Sequence, residues 1–310
     1  MKRLCALVLV LALLAGCAPA PAEDGKAHIL CTTYPVYLFT TAVTQGVDEV
    51  EVELLVNQQT SCLHDYTLTV EDMRAIERAD VIVMNGAGLE DFMADALAQS
   101  DAAVIDCSAG LDLLPALGHQ HHEGEDEHED DPHIWMDPRR AAGMMSFISD
   151  QLSELYPAYE HSFWFNDVSA YDRLGGLRQD IDVAEYQVFV VTGQLSLEPL
   201  RTTQLITFHD GFQYFADAFG LTILKSIEEE EGSEASAKEL EEIIELVREY
   251  DVPAIFVEKN GSRRSADVIA RETGCKVYEL DMIMSGDGEG IAPYILAMQQ
   301  NLSTIEEALG

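Results

Sequence analysis

Three histidines and one aspartate stand out because of where they fall along the chain. His64, His209 and Asp281 each follow a short apolar run that predicts a β-strand, whereas His133 lies in an Asp-Pro-His motif. Imidazole and carboxylate groups bind divalent transition metals. Taken alone, each histidine is more often a capping or core residue, and the spacing along the sequence does not bring the four together.

The elements that position these residues are predicted from periodicity. Apolar, β-rich runs predict eight strands, at 28–32, 51–56, 80–84, 103–106, 205–208, 222–224, 254–258 and 276–280. Stretches with helical periodicity lie between many of them, and this alternation is typical of α/β proteins with parallel sheets. Ligands of such sheets bind beyond the carboxyl ends of the strands, which is where three of the four residues fall.

Capping residues predict several helix ends. Thr69, Ser236 and Ser262 predict helix starts, and Gly274 predicts the end of the helix that follows Ser262. In the helix after Thr69, the apolar positions Val70, Met73 and Ile76 fall on one stripe, which predicts an amphipathic helix.

The alternation of strands and helices stops once, from about residue 140 to residue 178, where the sequence reads as helix interrupted by Pro157. We therefore predict two α/β lobes with parallel sheets, joined by a long rigid linker helix, with a ligand site in the cleft between them. The predicted boundaries are 27–160 for the amino-terminal lobe, 161–182 for the linker helix and 183–310 for the carboxyl-terminal lobe.

The amino terminus has the pattern of an export signal. Lys2 and Arg3 precede an apolar run that is too short to span a bilayer, and Ala15-Gly16-Cys17 follows it. This segment resembles the bacterial lipobox, so we predict a signal peptide over 1–16, lipidation of Cys17 and a flexible tether over 17–26. The alternative is an ordinary secretory signal with a chance cysteine. Either interpretation predicts a protein outside the cytoplasmic membrane, anchored by a lipid in the first case.

The composition limits the classes of partner. The chain has 56 acidic and 18 basic residues and a formal net charge of −38. Such a surface repels nucleic acid and attracts cations, so we expect no nucleic-acid partner. Acidity is weak evidence for metal binding by itself, because many secreted proteins are acidic for solubility.

Cysteine usage leaves the disulfide pattern open. Apart from the signal peptide and Cys17, the cysteines are Cys31, Cys62, Cys107 and Cys275, which allow three pairings. Cys62 and Cys107 both follow predicted strands, so they are a candidate pair. The absence of a Cys-x-x-Cys spacing disfavours a thiolate metal site.

The segment 117–133 is rich in histidine and carboxylate residues and has almost no apolar side chains. It cannot pack into a core, so we predict a loop. Its histidines, His119, His121, His122 and His128, predict an auxiliary site of weak, exchanging metal binding. The alternative is a solvated linker that merely tolerates histidine.

Several motifs of the chain resemble those of the zinc- and manganese-binding solute-binding proteins of ABC importers. The matching elements are His64-Asp65-Tyr66, Asp131-Pro132-His133-Ile134-Trp135-Met136-Asp137-Pro138, Phe208-His209-Asp210 with Phe219-Gly220-Leu221, and Leu280-Asp281. The resemblance covers essentially the whole chain after the signal, in order. Two positions depart from the pattern: Leu63 stands where many members have proline, and Met282-Ile283-Met284 follows Asp281 where Pro-Leu is frequent.

The resemblance implies that His64, His133, His209 and Asp281 are the metal ligands. Three neutral imidazoles and one carboxylate suit four-coordinate Zn²⁺. Mn²⁺ favours more oxygen donors and is therefore the less expected metal. Asp65, Asp137 and Asp210 are candidates to orient the imidazoles through the other ring N–H, although each is equally interpretable as a cap or turn residue.

The resemblance predicts an extracytoplasmic zinc-binding lipoprotein that captures Zn²⁺ and delivers it to the permease of an ABC transporter. We expect a monomer, attached to the membrane through Cys17. The alternatives are a manganese-binding protein of the same importer class and a surface adhesin on the same fold. A zinc hydrolase needs an open coordination position and a general base, and four protein ligands leave none open, so we predict that the protein is not an enzyme.

Overall fold

Two four-stranded parallel sheets form the framework of the protein. The computed structural model describes residues 25–57, 63, 66–116, 130–175, 200–226, 235–259 and 261–310. The first sheet contains β1 (Ala27–Cys31), β2 (Val50–Leu54), β3 (Val81–Met84) and β4 (Ala103–Asp106) in the order β2-β1-β3-β4. The second contains β5 (Gln204–Thr207), β6 (Thr222–Ser226), β7 (Ala254–Glu258) and β8 (Lys276–Leu280) in the order β6-β5-β7-β8. The two sheets share one topology, and the predicted α/β class with two parallel sheets is confirmed.

The strands of each sheet differ in burial according to their position. β7, an inner strand, is buried at all five positions, whereas β2, an edge strand, alternates between half-buried and exposed residues. Inner strands of a parallel sheet have helices on both faces, so both sets of side chains leave water. This pattern explains why the inner strands read as continuous apolar runs in the sequence.

Helices flank both sheets within the described residues. They are α1 (Tyr34–Val43), α2 (Val70–Arg78), α3 (Ala94–Leu97), α4 (Pro138–Leu155), α5 (Glu160–Gly175), α6 (Gln213–Phe219), α7 (Ala237–Glu249), α8 (Arg264–Thr273) and α9 (Ala292–Leu309). None of the helices in this part of the chain combines the length and the apolarity needed to cross a bilayer.

Two of the predicted helix starts are confirmed as reciprocal capping boxes. The Thr69 hydroxyl accepts from the amide of Asp72, whose carboxylate accepts from the amide of Thr69, and Ser236 and Glu239 repeat this arrangement. The third helix, α8, begins at Arg264, one residue later than Ser262 predicts, although the Ser262 hydroxyl accepts from the amide of Arg264 at 3.4 Å. The predicted end of α8 at Gly274 is confirmed, since that residue has a φ of +81°.

The buried face of α2 differs from the predicted stripe. Val70 is 69% exposed and Met73 is 43% exposed, and only Ile76 of the three is buried. The carboxylate of Asp72 accepts hydrogen bonds from the amide of Thr69 and the hydroxyl of Tyr66. These bonds turn the face of Asp72 and Ile76 inward and leave Val70 and Met73 on the outer side.

Helix α5 packs along α4 and α1 of the amino-terminal lobe. Ser146 on α4 donates to the carboxylate of Asp167, and the Asn166 amide donates to the carbonyls of Val43, the last residue of α1, and Gln45. Helix α5 overlaps the range predicted for the linker helix, 161–182, of which residues 176–182 lie outside the described residues.

The two lobes contact one another through a loop that precedes α9. The hydroxyl of Tyr34 on α1 bonds to both the amide and the carbonyl of Gly288, and the Asn57 side chain does the same with Gly286. The amide of Gly290 donates to the Thr41 hydroxyl. The largest apolar cluster also contains residues of both lobes, so the lobes are joined by core packing as well as by hydrogen bonds.

The described cysteines are free thiols. Cys31 and Cys107 are buried and Cys275 is half-buried. Cys62, the other member of the candidate pair with Cys107, lies outside the described residues. Burial raises the pKa of the Cys31 thiol to about 12, so this group stays neutral and is a poor nucleophile.

Candidate metal site

His133 lies in a buried segment that joins the lobes. Its Nδ1 is 2.7 Å from Oδ1 of Asp131, and the same carboxylate oxygen accepts from the backbone amide of His133. Both side chains are almost fully buried. A carboxylate only accepts hydrogen bonds, so Asp131 keeps the proton on Nδ1 and leaves the Nε2 lone pair available for a metal.

The segment around His133 is anchored to the carboxyl-terminal lobe on several sides. The Trp135 indole donates to the carbonyl of Met282 at 2.9 Å, and the Tyr294 hydroxyl donates to the carbonyl of Trp135 at 2.6 Å. The Tyr214 hydroxyl donates to the carbonyl of Asp131 at 3.0 Å. These bonds fix the backbone on both sides of the histidine.

His209 comes from the second sheet, two residues after the end of β5. The Thr207 hydroxyl donates to the carbonyl of His209, and the histidine is almost fully buried. Its Nδ1 is 3.5 Å from Oδ1 of Asp210 and 3.9 Å from Oε1 of Glu258, which ends the neighbouring strand β7. Both carboxylates lie on the Nδ1 side, so Nε2 faces the other way.

The two imidazoles meet at their Nε2 atoms. His133 Nε2 and His209 Nε2 are 3.3 Å apart, and the rings are perpendicular, at 89°. In a tetrahedral zinc site with Zn–N bonds of about 2.0–2.1 Å, two ligand nitrogens lie roughly 3.3–3.4 Å apart. The spacing therefore matches two ligands of one zinc ion.

Gly211 leaves room for this approach. A Cβ atom at this position would lie 3.0 Å from Cδ2 of both His133 and His209 and would collide with Cε of Met282. A larger side chain would therefore push the two imidazoles apart. Close packing against the two imidazoles and Met282 thus explains the glycine that follows Asp210.

The carboxylates near the site differ from the expected set. His133, His209 and Asp210 form the group of described residues that could hold a metal, and Asp281 is not part of it. Asp281 accepts from Lys259 Nζ at 2.8 Å and from the amide of Ile283 at 2.8 Å. This ion pair raises the pKa of Lys259.

The candidates for orienting the imidazoles also separate into different roles. Asp137 caps α4 by accepting from the amide of Arg139 and pairs with Arg140 at 2.7 Å, so it is a helix-capping residue. Asp210 lies beside His209, as expected. The sequence interpretation missed Asp131 and Glu258.

A local signal could have revealed Asp131, because an aspartate two residues before the histidine can accept its backbone amide in a turn. Glu258 could not be found in this way, since it reaches His209 only through the pairing of β5 with β7. Such neighbours depend on the strand order of the sheet.

Several predicted site residues lie outside the described residues. These are His64, Asp65, Cys17 and the histidines His119, His121, His122 and His128. Their proposed roles rest on the sequence.

Comparison with known proteins places the chain in a family. The family model described as "Zinc-uptake complex component A periplasmic" matches residues 29–308. The zinc-binding lipoprotein AdcA of Streptococcus pneumoniae is 29% identical over 318 residues, which cover 99% of this chain and 60% of AdcA. The chain thus spans 60% of the length of that relative.

Two further relatives match over nearly their whole length. The high-affinity zinc uptake system protein ZnuA of Bacillus subtilis is 27% identical, with 94% of this chain and 90% of ZnuA covered. The crystal structure of the Zn(II)-bound ZnuA-like domain of S. pneumoniae AdcA superposes with a TM-score of 0.71 at 28% identity, covering 92% of this chain and 99% of that domain. With a family model that spans both lobes, the chain belongs to the family of periplasmic zinc-uptake component A proteins.

Proposed function

We propose that this protein captures one Zn²⁺ ion between its two lobes, outside the cytoplasmic membrane, and delivers it to the permease of an ABC importer. The observation that carries the proposal is the 3.3 Å separation of His133 Nε2 and His209 Nε2. Each imidazole has a carboxylate on its Nδ1 side, an arrangement that favours the neutral tautomer in which Nε2 carries no proton.

Zinc is the cargo that the donor types fit best. Imidazole nitrogen is a good ligand for Zn²⁺ in four-coordinate geometry. Mn²⁺ prefers a shell richer in oxygen, and the pair of buried imidazoles supplies nitrogen instead. The names of the relatives, a zinc-binding lipoprotein and a zinc uptake protein, point to the same metal.

We assign the remaining two ligands to His64 and Asp281. Asp281 is bonded to Lys259 and to the amide of Ile283, but a carboxylate has about four lone-pair positions and can still offer one to a metal. Asp210 is the competing carboxylate, because it lies in the group with the two imidazoles. Its position on the Nδ1 side of His209 suits an orienting role better than ligation.

The lipid anchor on Cys17 and the auxiliary histidines complete the proposal. An anchored protein remains near the permease. It therefore meets the importer by diffusing along the membrane surface, and this encounter does not depend on the concentration of the protein in bulk solution. His119, His121, His122 and His128 would provide weak, exchanging positions for zinc. Capture and release require no chemical step on the cargo, so the proposal involves no catalysis.

Metal competition tests this function. The purified protein is expected to retain one equivalent of Zn²⁺ against excess Mn²⁺, measured by elemental analysis after dialysis. His209→Glu replaces a nitrogen donor by an oxygen donor, so it should shift the preference toward Mn²⁺ while circular dichroism shows an unchanged fold. A wild-type protein that exchanges its zinc for manganese, or a His209→Glu variant with wild-type preference, would refute the assignment.

A further inference from the structure

A glycine-containing turn follows β3 and lies next to the segment that carries His133. The turn has positive φ angles at three consecutive residues, Gly86 (+83°), Ala87 (+52°) and Gly88 (+81°). A Cβ atom on Gly86 would collide with the carboxylate of Asp106 and would lie 2.5 Å from the hydroxyl of Ser108. Left-handed conformations are unfavourable for Ala87, so contacts elsewhere must hold this turn.

The carboxylate of Glu90 provides those contacts. It accepts from the Thr32 hydroxyl at 2.6 Å, from the amide of Asn85 at 2.7 Å and from the amide of Gly86 at 3.0 Å. Glu90 is 2% exposed, so these bonds form away from bulk water, where an unsatisfied donor would be costly. The side chain therefore ties the end of β1 to the turn after β3.

Asn85 passes this constraint to the metal-binding segment. Its side chain is fully buried, and its amide donates to the carbonyl of Pro132 at 2.8 Å. The amide of His133, the other end of the same peptide unit, donates to the carboxylate of Asp131. The peptide plane between Pro132 and His133 is thus held at both its oxygen and its nitrogen.

We propose that Glu90 is a positioning residue for zinc binding: through Asn85 it fixes the peptide that precedes His133 and thereby the direction in which the His133 imidazole points. The effect of this role on zinc affinity depends on the proposed function. The positioning itself is a property of the metal-free protein. The three hydrogen bonds of Glu90 go to Thr32, Asn85 and Gly86, so it acts on His133 through Asn85 and the backbone.

The chemistry of the turn explains why a carboxylate is required. All three groups that face Glu90 are donors, and a carboxylate offers only acceptors. Glutamine has the same size, but its amide nitrogen would face a backbone N–H on one side. Glu90→Gln therefore breaks at least one bond to the turn without creating a cavity.

Zinc affinity of Glu90→Gln and Asn85→Ala is the first arm of the test. Residues that orient metal ligands typically contribute about 10- to 100-fold in affinity, so each variant should bind Zn²⁺ about tenfold more weakly in competition with a chromophoric chelator. The double variant should be no weaker than the weaker single variant, because both changes remove the same constraint. Additive losses, or wild-type affinity in both single variants, would overturn the proposal.

A matched control separates positioning from general destabilisation. Asp167, on α5, is another carboxyl withdrawn from water, with both oxygens accepting from Ser146. Asp167→Asn should lower the melting temperature but leave the zinc affinity and the visible spectrum of bound Co²⁺ unchanged. Glu90→Gln should change that spectrum. If Glu90→Gln and Asp167→Asn lower the stability equally and also change the zinc affinity equally, Glu90 is a structural residue without a positioning role.

The second arm uses no metal and separates this inference from the proposed function. In the metal-free protein, Glu90→Gln and Asn85→Ala should each speed hydrogen exchange at the His133 amide several-fold relative to Asp167→Asn. If wild-type protein fails to bind zinc, the proposed function fails while this arm still stands. If zinc binds normally and exchange at His133 is unchanged in both variants, the positioning role alone is refuted. Asn85→Ala keeps the test valid if Glu90→Gln does not fold.

Discussion

The two lobes use the same sheet topology to position a buried carboxylate in different ways. Strand β3 in the first sheet and strand β7 in the second occupy equivalent places beside β1 and β5. Glu90 follows β3 and Glu258 ends β7, and these are the buried glutamates among the described residues. Glu90 binds backbone amides and Thr32, whereas Glu258 lies 3.9 Å from the imidazole of His209.

This difference shows how one topology builds two unlike halves of a site. In the amino-terminal lobe the carboxylate of Glu90 fixes a turn. Through Asn85, this turn holds the peptide before His133 and thereby positions the His133 imidazole. In the carboxyl-terminal lobe the carboxylate of Glu258 approaches the imidazole of His209 itself. The buried glutamate of the first lobe therefore acts on its imidazole through Asn85 and the Pro132–His133 peptide, whereas the buried glutamate of the second lobe lies on the Nδ1 side of its imidazole.

Removal of either imidazole should have the largest effect. His133→Ala and His209→Ala each open the shell and replace a nitrogen donor by water, so each should weaken zinc binding at least tenfold. The measurement is competition against a chelator of known affinity. If the two losses differ greatly, one lobe dominates capture; wild-type affinity in either variant would contradict the shared site.

Glu258→Gln should have the next largest effect. The change removes a carboxylate near His209 Nδ1. Such a carboxylate orients an imidazole and strengthens it as a metal ligand, so zinc binding should weaken. We expect a loss of about tenfold in zinc affinity, in the range typical of residues that orient metal ligands. Hydrogen exchange at the His133 amide should stay at the wild-type rate, in contrast to Glu90→Gln. Faster exchange there would mean that the two carboxylates do not act separately.

The pH dependence of stability should separate the Glu90 turn from the rest of the protein. Burial raises the pKa of Glu90 from 4.5 to about 7, with a smaller contribution from Asp106 and opposing contributions from its three hydrogen bonds. A raised pKa in the folded state means that ionisation destabilises the fold. The stability associated with Glu90 is therefore fully present below about pH 4.5 and is lost as the pH rises to about 7.

Urea unfolding of the metal-free protein measures this loss. In Glu90→Gln the decrease between pH 5 and pH 7 should become shallower, because the ionisable group is gone. Burial also raises the pKa of Asp167, to about 6, so Asp167→Asn should flatten the curve at lower pH. Identical curves for Glu90→Gln and wild type would contradict the raised pKa.

The smallest effect on the tight site is expected from the His-rich segment. Deletion of residues 119–128 should remove the weak equivalents of bound zinc and leave one tight equivalent. Calorimetric titration of the deleted and full proteins gives both stoichiometries. Loss of the tight equivalent would show that this segment contributes to the shared site.

The elements of the fold were predictable from local patterns. Inner strands such as β7 are buried on both faces, so they appear as uninterrupted apolar runs, and the capping boxes at Thr69 and Ser236 are local in sequence. The stripe of Val70 and Met73 was misread because Asp72 turns inward to hydrogen bonds. Periodicity does not reveal such bonds.

The site was predictable only in part. The histidines were identified through motifs that resemble those of a family, not through spacing. The carboxylates that support them were harder to find, because Glu258 and Glu90 reach their partners across neighbouring strands or through a third residue. Lys259 pairs with Asp281 in the same way, through the adjacency of β7 and β8. Strand order is the missing information in each case.

We expect His133 and His209 to bind the same zinc ion. A crystal structure of the protein with one equivalent of zinc, with the ion located by anomalous scattering at the zinc edge, tests it most directly. We predict a single strong peak about 2.0–2.1 Å from Nε2 of both histidines, with the separation of the two nitrogens little changed from 3.3 Å. A peak bound by only one of the two imidazoles, or by the His-rich segment alone, would contradict it.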